Sequence, residues 1–133
     1  MTRILALLLL LGTTYTVASA QDSESGSDGI YLTQVGASNM AVLTQVEPGA
    51  TITANQEGDR NSLTVMQDEA MAVATVMQDG RDNVIEISTQ SFGSVATVTQ
   101  DGSVNSLQIS QMAPEQTTVV TQGGRNNTAI ISQ

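Results

Sequence analysis

The sequence predicts an all-β protein, a β-solenoid built from five 22-residue strand-turn-strand repeats. Three observations support this prediction. Marker residues recur with a period of 22 residues, and a fixed period in the twenties is typical of stacked-repeat architectures. Apolar and polar residues alternate on both sides of the markers, which predicts strands rather than helices. Aromatic residues make up only 2% of the chain, so the thin aliphatic core suits repeats that bury their faces against one another.

Four kinds of residue mark each repeat. They are a first glutamine (Gln34, Gln56, Gln78, Gln100 and Gln122), a glycine (Gly36, Gly58, Gly80, Gly102 and Gly124), an asparagine (Asn39, Asn61, Asn83, Asn105 and Asn127) and a second glutamine (Gln45, Gln67, Gln111 and Gln133). Thr89 takes the remaining place of the second glutamine and leaves the spacing intact, so it is a substitution and not an insertion.

The first 20 residues have the pattern of a secretory signal peptide. Arg3 gives a positive start, residues 4–11 are apolar, and residues 18–20 form a small-residue cleavage signal. The apolar run is too short to span a bilayer, so no membrane span is expected after cleavage before Gln21. We therefore expect a signal peptide at 1–20, a short leader at 21–27 and a repeat domain at 28–133, exported without disulfides because cysteine is absent.

Each repeat is predicted to contain two strands joined by a turn. The repeats occupy residues 28–45, 50–67, 72–89, 94–111 and 116–133. In the second repeat, Ile52 and Leu63 head two series of inward-facing residues, and residues 57–60 have turn chemistry, with glycine free to adopt positive φ. A one-residue slip of register would expose the whole apolar set to water, so the alternation also determines the register.

Stacked repeats bring identical residues above one another, about 4.8 Å apart. The glutamines then form two columns and the asparagines a third, all at inward positions. Buried amides cost free energy unless they are hydrogen-bonded, and the neighbouring repeat supplies the partner. We therefore expect amide ladders along the stack, as in cross-β assemblies, and an amyloid-forming protein.

The pattern Q-x-G-x2-N-x5-Q, flanked by alternating small and aliphatic residues, resembles the curlin repeat over residues 28–133. Curlins are bacterial subunits of extracellular curli fibres. The resemblance implies a secreted subunit that polymerises with itself at the bacterial cell surface and supports biofilm formation and adhesion. It also implies secretion through an outer-membrane pore and a second curlin subunit as nucleator or polymer partner. The fifth repeat keeps all its markers, and its one basic residue is Arg125, which favours the major subunit over the nucleator.

Composition disfavours several other classes of protein. Histidine, cysteine and lysine are absent, which removes the usual bases and nucleophiles, so we expect no enzyme activity, no catalytic residue and no cofactor. The net charge of −9 argues against nucleic-acid binding. Glu57, Asp79 and Asp101 stack in one column whose oxygens suit Ca²⁺, but the glycine-aspartate repeat of calcium-binding solenoids is missing. We predict no metal site and interpret this column as a charge that slows association.

The alternative to a fibre subunit is a secreted monomeric β-solenoid that binds through a threonine-rich outer face, as an ice-binding protein or an adhesin. Thr53, Thr75 and Thr97 are predicted to stack in one column of that face. Tyr31 and Val119 interrupt the column, and threonine is also simply a good exposed strand residue. A terminating solenoid needs capping repeats, whereas the fifth repeat runs regularly to Gln133.

Overall fold

A computed structural model describes residues 5–10, 16–21 and 29–133 of the chain. The described residues form β-strands and contain no helix, and none of them forms a helix able to cross a membrane. The strands are β1 (Leu5–Leu10), β2 (Thr16–Gln21), β3 (Gly29–Val35), β4 (Met40–Gln45), β5 (Thr51–Asp59), β6 (Ser62–Gln67), β7 (Val73–Arg81), β8 (Val84–Thr89), β9 (Val95–Ser103), β10 (Ser106–Gln111), β11 (Thr117–Arg125) and β12 (Thr128–Ser132).

The strands form two six-stranded sheets. Sheet A has the order β1-β4-β6-β8-β10-β12, and sheet B has the order β11-β9-β7-β5-β3-β2. From β3 onward, consecutive odd-numbered strands pair in parallel in sheet B, and even-numbered strands do the same in sheet A. Each successive pair, from β3–β4 to β11–β12, is one rung, numbered 1 to 5. The predicted β-solenoid with 22-residue spacing is confirmed, because Gln56 lies opposite Gln78 and Gln78 opposite Gln100.

The two N-terminal strands differ from the rungs. We predicted that residues 1–20 lie outside the repeat fold, yet β1 pairs with β4 and β2 pairs with β3. Both pairings are antiparallel, so they extend the sheets at rung 1 without continuing the repeat. Cleavage before Gln21 stays a prediction, and the leader beyond Gln21 lies outside the described residues, as does Asp28 at the start of the first predicted repeat.

The core lies between the two sheets and is made of the inward-facing aliphatic residues that the alternation predicts. Ile52, Leu63, Val65 and Ile87 are fully buried, and Ile85 is 1% exposed. Rung 5 is less well covered: Val120, Ala129 and Ile131 are only partly buried against this core. The difference follows from stacking, because an internal rung is covered on both sides and rung 5 on one.

The turn between the two strands of a rung is tighter than predicted. We expected a four-residue turn at 57–60, but β5 continues through Asp59 and β6 begins at Ser62. Every rung bends at the same place, so turn residues of adjacent rungs pair as strand residues do: Gly58 lies opposite Gly80. The bend itself is made by Arg60, whose φ is 56°, and equivalent residues with positive φ occur in the other rungs: Ser38, Asp82, Val104 and Asn126.

Candidate functional site

The first glutamine column forms a continuous ladder through the solenoid. Each Nε2 donates to the Oε1 of the glutamine on the next rung: Gln34 to Gln56, Gln56 to Gln78 (2.8 Å), Gln78 to Gln100 (3.0 Å) and Gln100 to Gln122 (2.7 Å). The same Nε2 also donates to a main-chain carbonyl in the second strand of the preceding rung, as Gln56 does to Met40 (3.2 Å). All amide–amide hydrogen bonds of the column run toward rung 5, so the ladder has a direction.

This pairing explains how amides can occupy the core of a small protein. Gln34, Gln56, Gln78 and Gln100 are at most 2% exposed. A buried amide without partners costs on the order of 1–3 kcal/mol for each unmade hydrogen bond. Here each interior glutamine both donates to one neighbour and accepts from the other, so the repeated stacking of identical residues removes this cost.

The asparagines bind mainly the main chain, and one hydrogen bond joins their amides, from Asn127 Nδ2 to Asn105 Oδ1 (3.1 Å), so the amide ladder we predicted for this column is formed only between rungs 5 and 4. In rung 2, the Asn61 main-chain N–H donates to Asn39 Oδ1 (3.0 Å), and Asn61 Nδ2 donates to the carbonyls of Glu57 (2.9 Å) and Gly80 (3.1 Å). Rungs 3 and 4 repeat this arrangement. The shorter side chain keeps the amide close to the bend, so the asparagines hold the turn rather than the core.

The turn glycines allow the rungs to approach closely. Gly36, Gly58, Gly80, Gly102 and Gly124 all have φ between 101° and 120°, a region that side chains disfavour. A Cβ on any of the first four would lie 1.8–1.9 Å from the carbonyl oxygen of the glycine on the next rung. A Cβ on Gly124 would have its nearest neighbour, Asn127 Nδ2, at 3.5 Å, because no described rung follows it.

The second glutamine column is divided at Thr89. Gln45 Nε2 donates to Gln67 Oε1 (3.2 Å), but Gln67 Nε2 is buried without a hydrogen-bond partner. Thr89 lies opposite Gln67 on the next rung and donates from its hydroxyl to Gln111 Oε1 (3.2 Å). The Thr89 hydroxyl donates a hydrogen bond toward rung 4. Threonine has no amide oxygen, however, that could accept a hydrogen bond from Gln67 on rung 2.

Three hydroxyl side chains around this division were not among the predicted site residues. Gln111 Nε2 donates to Thr118 Oγ1 (3.0 Å), which in turn donates to Gln133 Oε1 (2.6 Å). The buried hydroxyls of Ser91 and Ser94 lie 2.9 Å apart. The sequence signal for Thr118 was a hydroxyl residue at an inward position where the preceding rung has Ala96, since a buried hydroxyl needs a hydrogen-bond partner.

Charged residues cluster at the turn corner. Glu57, Asp79 and Asp101 lie opposite one another on rungs 2, 3 and 4, as predicted from their spacing. Beside them, Arg60 donates to both carboxylate oxygens of Asp82 (2.6 and 2.8 Å). This hydrogen bonding raises the pKa of Arg60 and lowers the pKa of Asp82. Within the described residues, no group of three or more His, Cys, Asp or Glu side chains is placed to hold a metal ion.

The ladders are open at both ends of the described rungs. Gln34 is 1% exposed, and its Oε1 is buried without a hydrogen-bond partner. At the other end, Gln122 Nε2 donates to the Ser106 carbonyl (3.4 Å), but within the described chain no following rung offers it the glutamine oxygen that the other rungs have. β11 and β12 are the terminal strands of their sheets, so their outer main-chain groups are open to a further strand.

The chain was also compared with known proteins. No protein-family model, no curated protein and no solved structure matches it.

Proposed function

We propose that this protein is a structural, non-catalytic subunit of an extracellular curli-type amyloid fibre. The observation that supports this proposal is the open, directional glutamine ladder. One end of the first column has a buried acceptor without a donor, Gln34 Oε1, and the other has a donor, Gln122 Nε2, without a following glutamine. A second copy stacked rung 5 to rung 1 supplies each end with the group it lacks.

The stacked junction continues the internal 22-residue register. Gln122 donates to Gln34 of the next copy, and Gln133 reaches Gln45 in the second column. Gly124 then lies against the turn glycine of the next copy, as Gly102 lies against Gly124 within one chain. Main-chain hydrogen bonds between parallel strands add to both sheets, so each junction resembles the contact between two internal rungs.

Removal of the signal peptide belongs to the same proposal. β1 and β2 pair with the strands of rung 1 on the edge that the next copy needs. Cleavage before Gln21 removes β1 and all of β2 except Gln21. Rung 1 is then free to accept rung 5 of another copy once the chain has left the cell.

The resemblance to curlins supports the secretion route, the partners and the role that we propose for the fibre. The subunit leaves the cell through an outer-membrane pore, polymerises with itself at the bacterial surface, and uses a second curlin subunit as nucleator. The fibres serve biofilm formation and adhesion. Rung 5 retains Gln122, Gly124 and Asn127 in the internal register, which favours a role as major subunit.

The test is fibre formation by residues 21–133, diluted from denaturant at tens of micromolar. We expect conversion to dye-binding fibres with reflections near ~4.8 Å and ~10 Å. Gly124→Ala should slow elongation strongly, because its Cβ would meet the next copy at the distance that is forbidden between internal rungs. Gly123→Ala is the control for an added methyl group, since its Cβ has nothing within 4 Å, while the φ of 101° at Gly124 adds strain of its own to the Gly124→Ala variant.

Two results would contradict the proposal. One is a chain that stays monomeric for days under these conditions. The other is equal elongation of the Gly124→Ala and Gly123→Ala variants, which would show that rung 5 does not form the junction.

A second candidate function rests on the outer face of sheet B. Thr53, Thr75 and Thr97 stack in one column there, in parallel register. A regular threonine array suits a monomeric solenoid that binds ice or another surface as an adhesin. A lasting monomer with thermal hysteresis activity would favour this function over the fibre subunit.

A further inference from the structure

The acidic residues of the described rungs are unevenly distributed. Those of residues 29–133 lie in the connections between rungs, at the turn corner, or, for Glu86, on the outer face of sheet A. The arginines Arg60, Arg81 and Arg125 also lie at the turn corner. In a chain of net charge −9, this leaves one broad surface of the solenoid without charge.

That surface, the threonine face, consists of the outward-facing residues of sheet B at 51–55, 73–77, 95–99 and 117–121, together with Tyr31 and Thr33. Its central column contains Thr53, Thr75, Thr97 and Val119 in parallel register. Large apolar side chains are exposed on it: Val119 is 70% exposed and Met77 53%. The face is flanked on the turn side by the acidic column of Glu57, Asp79 and Asp101.

We propose that two fibres of this chain pair through their threonine faces, with the same polarity. This inference rests on the proposed fibre function and adds the surface through which fibres associate. The occupant is a second copy of this chain, already assembled in a fibre. An acidic fibre can approach another closely only through a surface without charge, and the threonine face is such a surface.

The size of the face explains why fibres pair and monomers do not. Five rungs at ~4.8 Å and four residue steps at ~3.3 Å give roughly 300 Å² per subunit. A stable contact between two proteins usually buries about 800 Å² on each partner. A single subunit is therefore too small to pair, whereas a fibre adds the same area with every subunit along its length.

The acidic column determines the polarity of the pair. A two-fold axis along the fibre keeps both fibres parallel and reverses the strand direction across the contact. The two acidic columns then lie on opposite edges, about 26 Å apart. A two-fold axis along the strands makes the fibres antiparallel and places the columns on the same edge, about 10 Å apart. Since the Debye length is about 8 Å at physiological ionic strength, only the antiparallel pair experiences appreciable repulsion.

The experiment compares two glutamate substitutions on rung 4 of residues 21–133. Thr97→Glu introduces a charge at the centre of the threonine face, and Ser110→Glu introduces the same charge on the outer face of sheet A. Both parent residues are half-buried. We measure dye-binding kinetics for elongation, and electron cryomicroscopy for the number and relative polarity of filaments in each fibre.

We expect wild-type and Ser110→Glu fibres to consist mainly of parallel filament pairs. Thr97→Glu should elongate at a similar rate but give mainly single filaments, with pairing restored in part by 1 M salt, where the Debye length is about 3 Å. Single wild-type filaments, antiparallel pairs, or pairing lost equally in both variants would overturn the inference. If Thr97→Glu does not assemble, Thr75→Glu is used in its place, and the polarity of wild-type pairs still tests the proposal. Absence of any fibre from the wild-type chain would instead contradict the proposed function.

Discussion

The two glutamine columns have the same spacing in the sequence and differ in their hydrogen bonds. The first runs unbroken from Gln34 to Gln122, with each amide donating to the next. The second is interrupted at Thr89, and Gln67 Nε2 is left buried without a partner. The comparison shows that a buried amide is stabilised by its neighbours on both sides, so one substitution affects a residue 22 positions away.

The second column also shows how the fold compensates for the division. On the side toward rung 4, the Thr89 hydroxyl donates to Gln111 Oε1 (3.2 Å) in place of an amide. Gln111 Nε2 is paired as well, with the Val95 carbonyl and the Thr118 hydroxyl, both at 3.0 Å. The amide of Gln111 therefore has partners for both its oxygen and its nitrogen, whereas Gln67 Nε2 has none. A free energy cost therefore lies at one identifiable atom, Gln67 Nε2.

The largest expected effect is that of breaking the first column. Gln78→Ala leaves Gln56 without its acceptor and Gln100 without its donor, whereas Gln67→Ala removes one hydrogen bond and one unpaired donor. Both variants delete the same side-chain atoms from a buried position. We expect Gln78→Ala to lower the free energy of unfolding by about 2–3 kcal/mol more than Gln67→Ala, because buried polar groups left unpaired are costly.

Denaturant midpoints of the assembled protein, measured for both variants and the wild type, provide the check. Equal losses of stability in the two variants would mean that packing of the side chain, and not the ladder, stabilises the column.

A smaller effect is expected from repairing the second column. Thr89→Gln supplies an Oε1 for Gln67 Nε2 and an Nε2 for Gln111 Oε1. We expect a gain of about 1 kcal/mol, the usual net value of one hydrogen bond. Thr89→Met is the matched control, because it fills a similar volume without an amide. If the methionine variant gains as much stability in the same denaturant titration, the unpaired donor is not the source of the cost.

The smallest effect is expected from the acidic column, where stacking identical residues is unfavourable. Glu57, Asp79 and Asp101 repeat the register of the glutamines, but like charges at neighbouring strand positions repel. Changing all three to asparagine should shorten the lag before assembly at neutral pH and flatten its dependence on salt. Dye-binding time courses at several salt concentrations measure this. An unchanged lag would indicate that closure of the first rungs limits nucleation.

The Arg60–Asp82 ion pair loses its stabilising contribution as pH falls. The hydrogen bond from Arg60 lowers the pKa of Asp82, so its stabilising contribution is present above the ordinary carboxyl pKa and is lost as pH falls through the lowered value. Both groups are exposed, and exposed pairs contribute little. We therefore expect this pair to lower stability only slightly as pH falls, as denaturant midpoints of wild type and Asp82→Asn at several pH values would show.

Much of the fold could be predicted from the sequence. The period of the markers predicted the rungs, and the alternation predicted residues such as Ile52 and Leu63 in the core. The turn was predicted less well, because β5 extends to Asp59 when identical bends stack, and no local propensity reports on that contact. The role of the asparagines was predicted in part: their column does hydrogen-bond from rung to rung, but most of its bonds involve the main chain.

The sequence by itself determined the length of a rung, the face of each strand that is buried, and the glycines at the bends. These properties follow from spacing and side-chain parity along one dimension. Only the tertiary structure decided the direction of the ladder, the isolation of Gln67 Nε2 and the open acceptor at Gln34. Hydrogen bonds between rungs depend on how amides 22 residues apart are oriented in space, and that orientation exists only when the rungs are stacked.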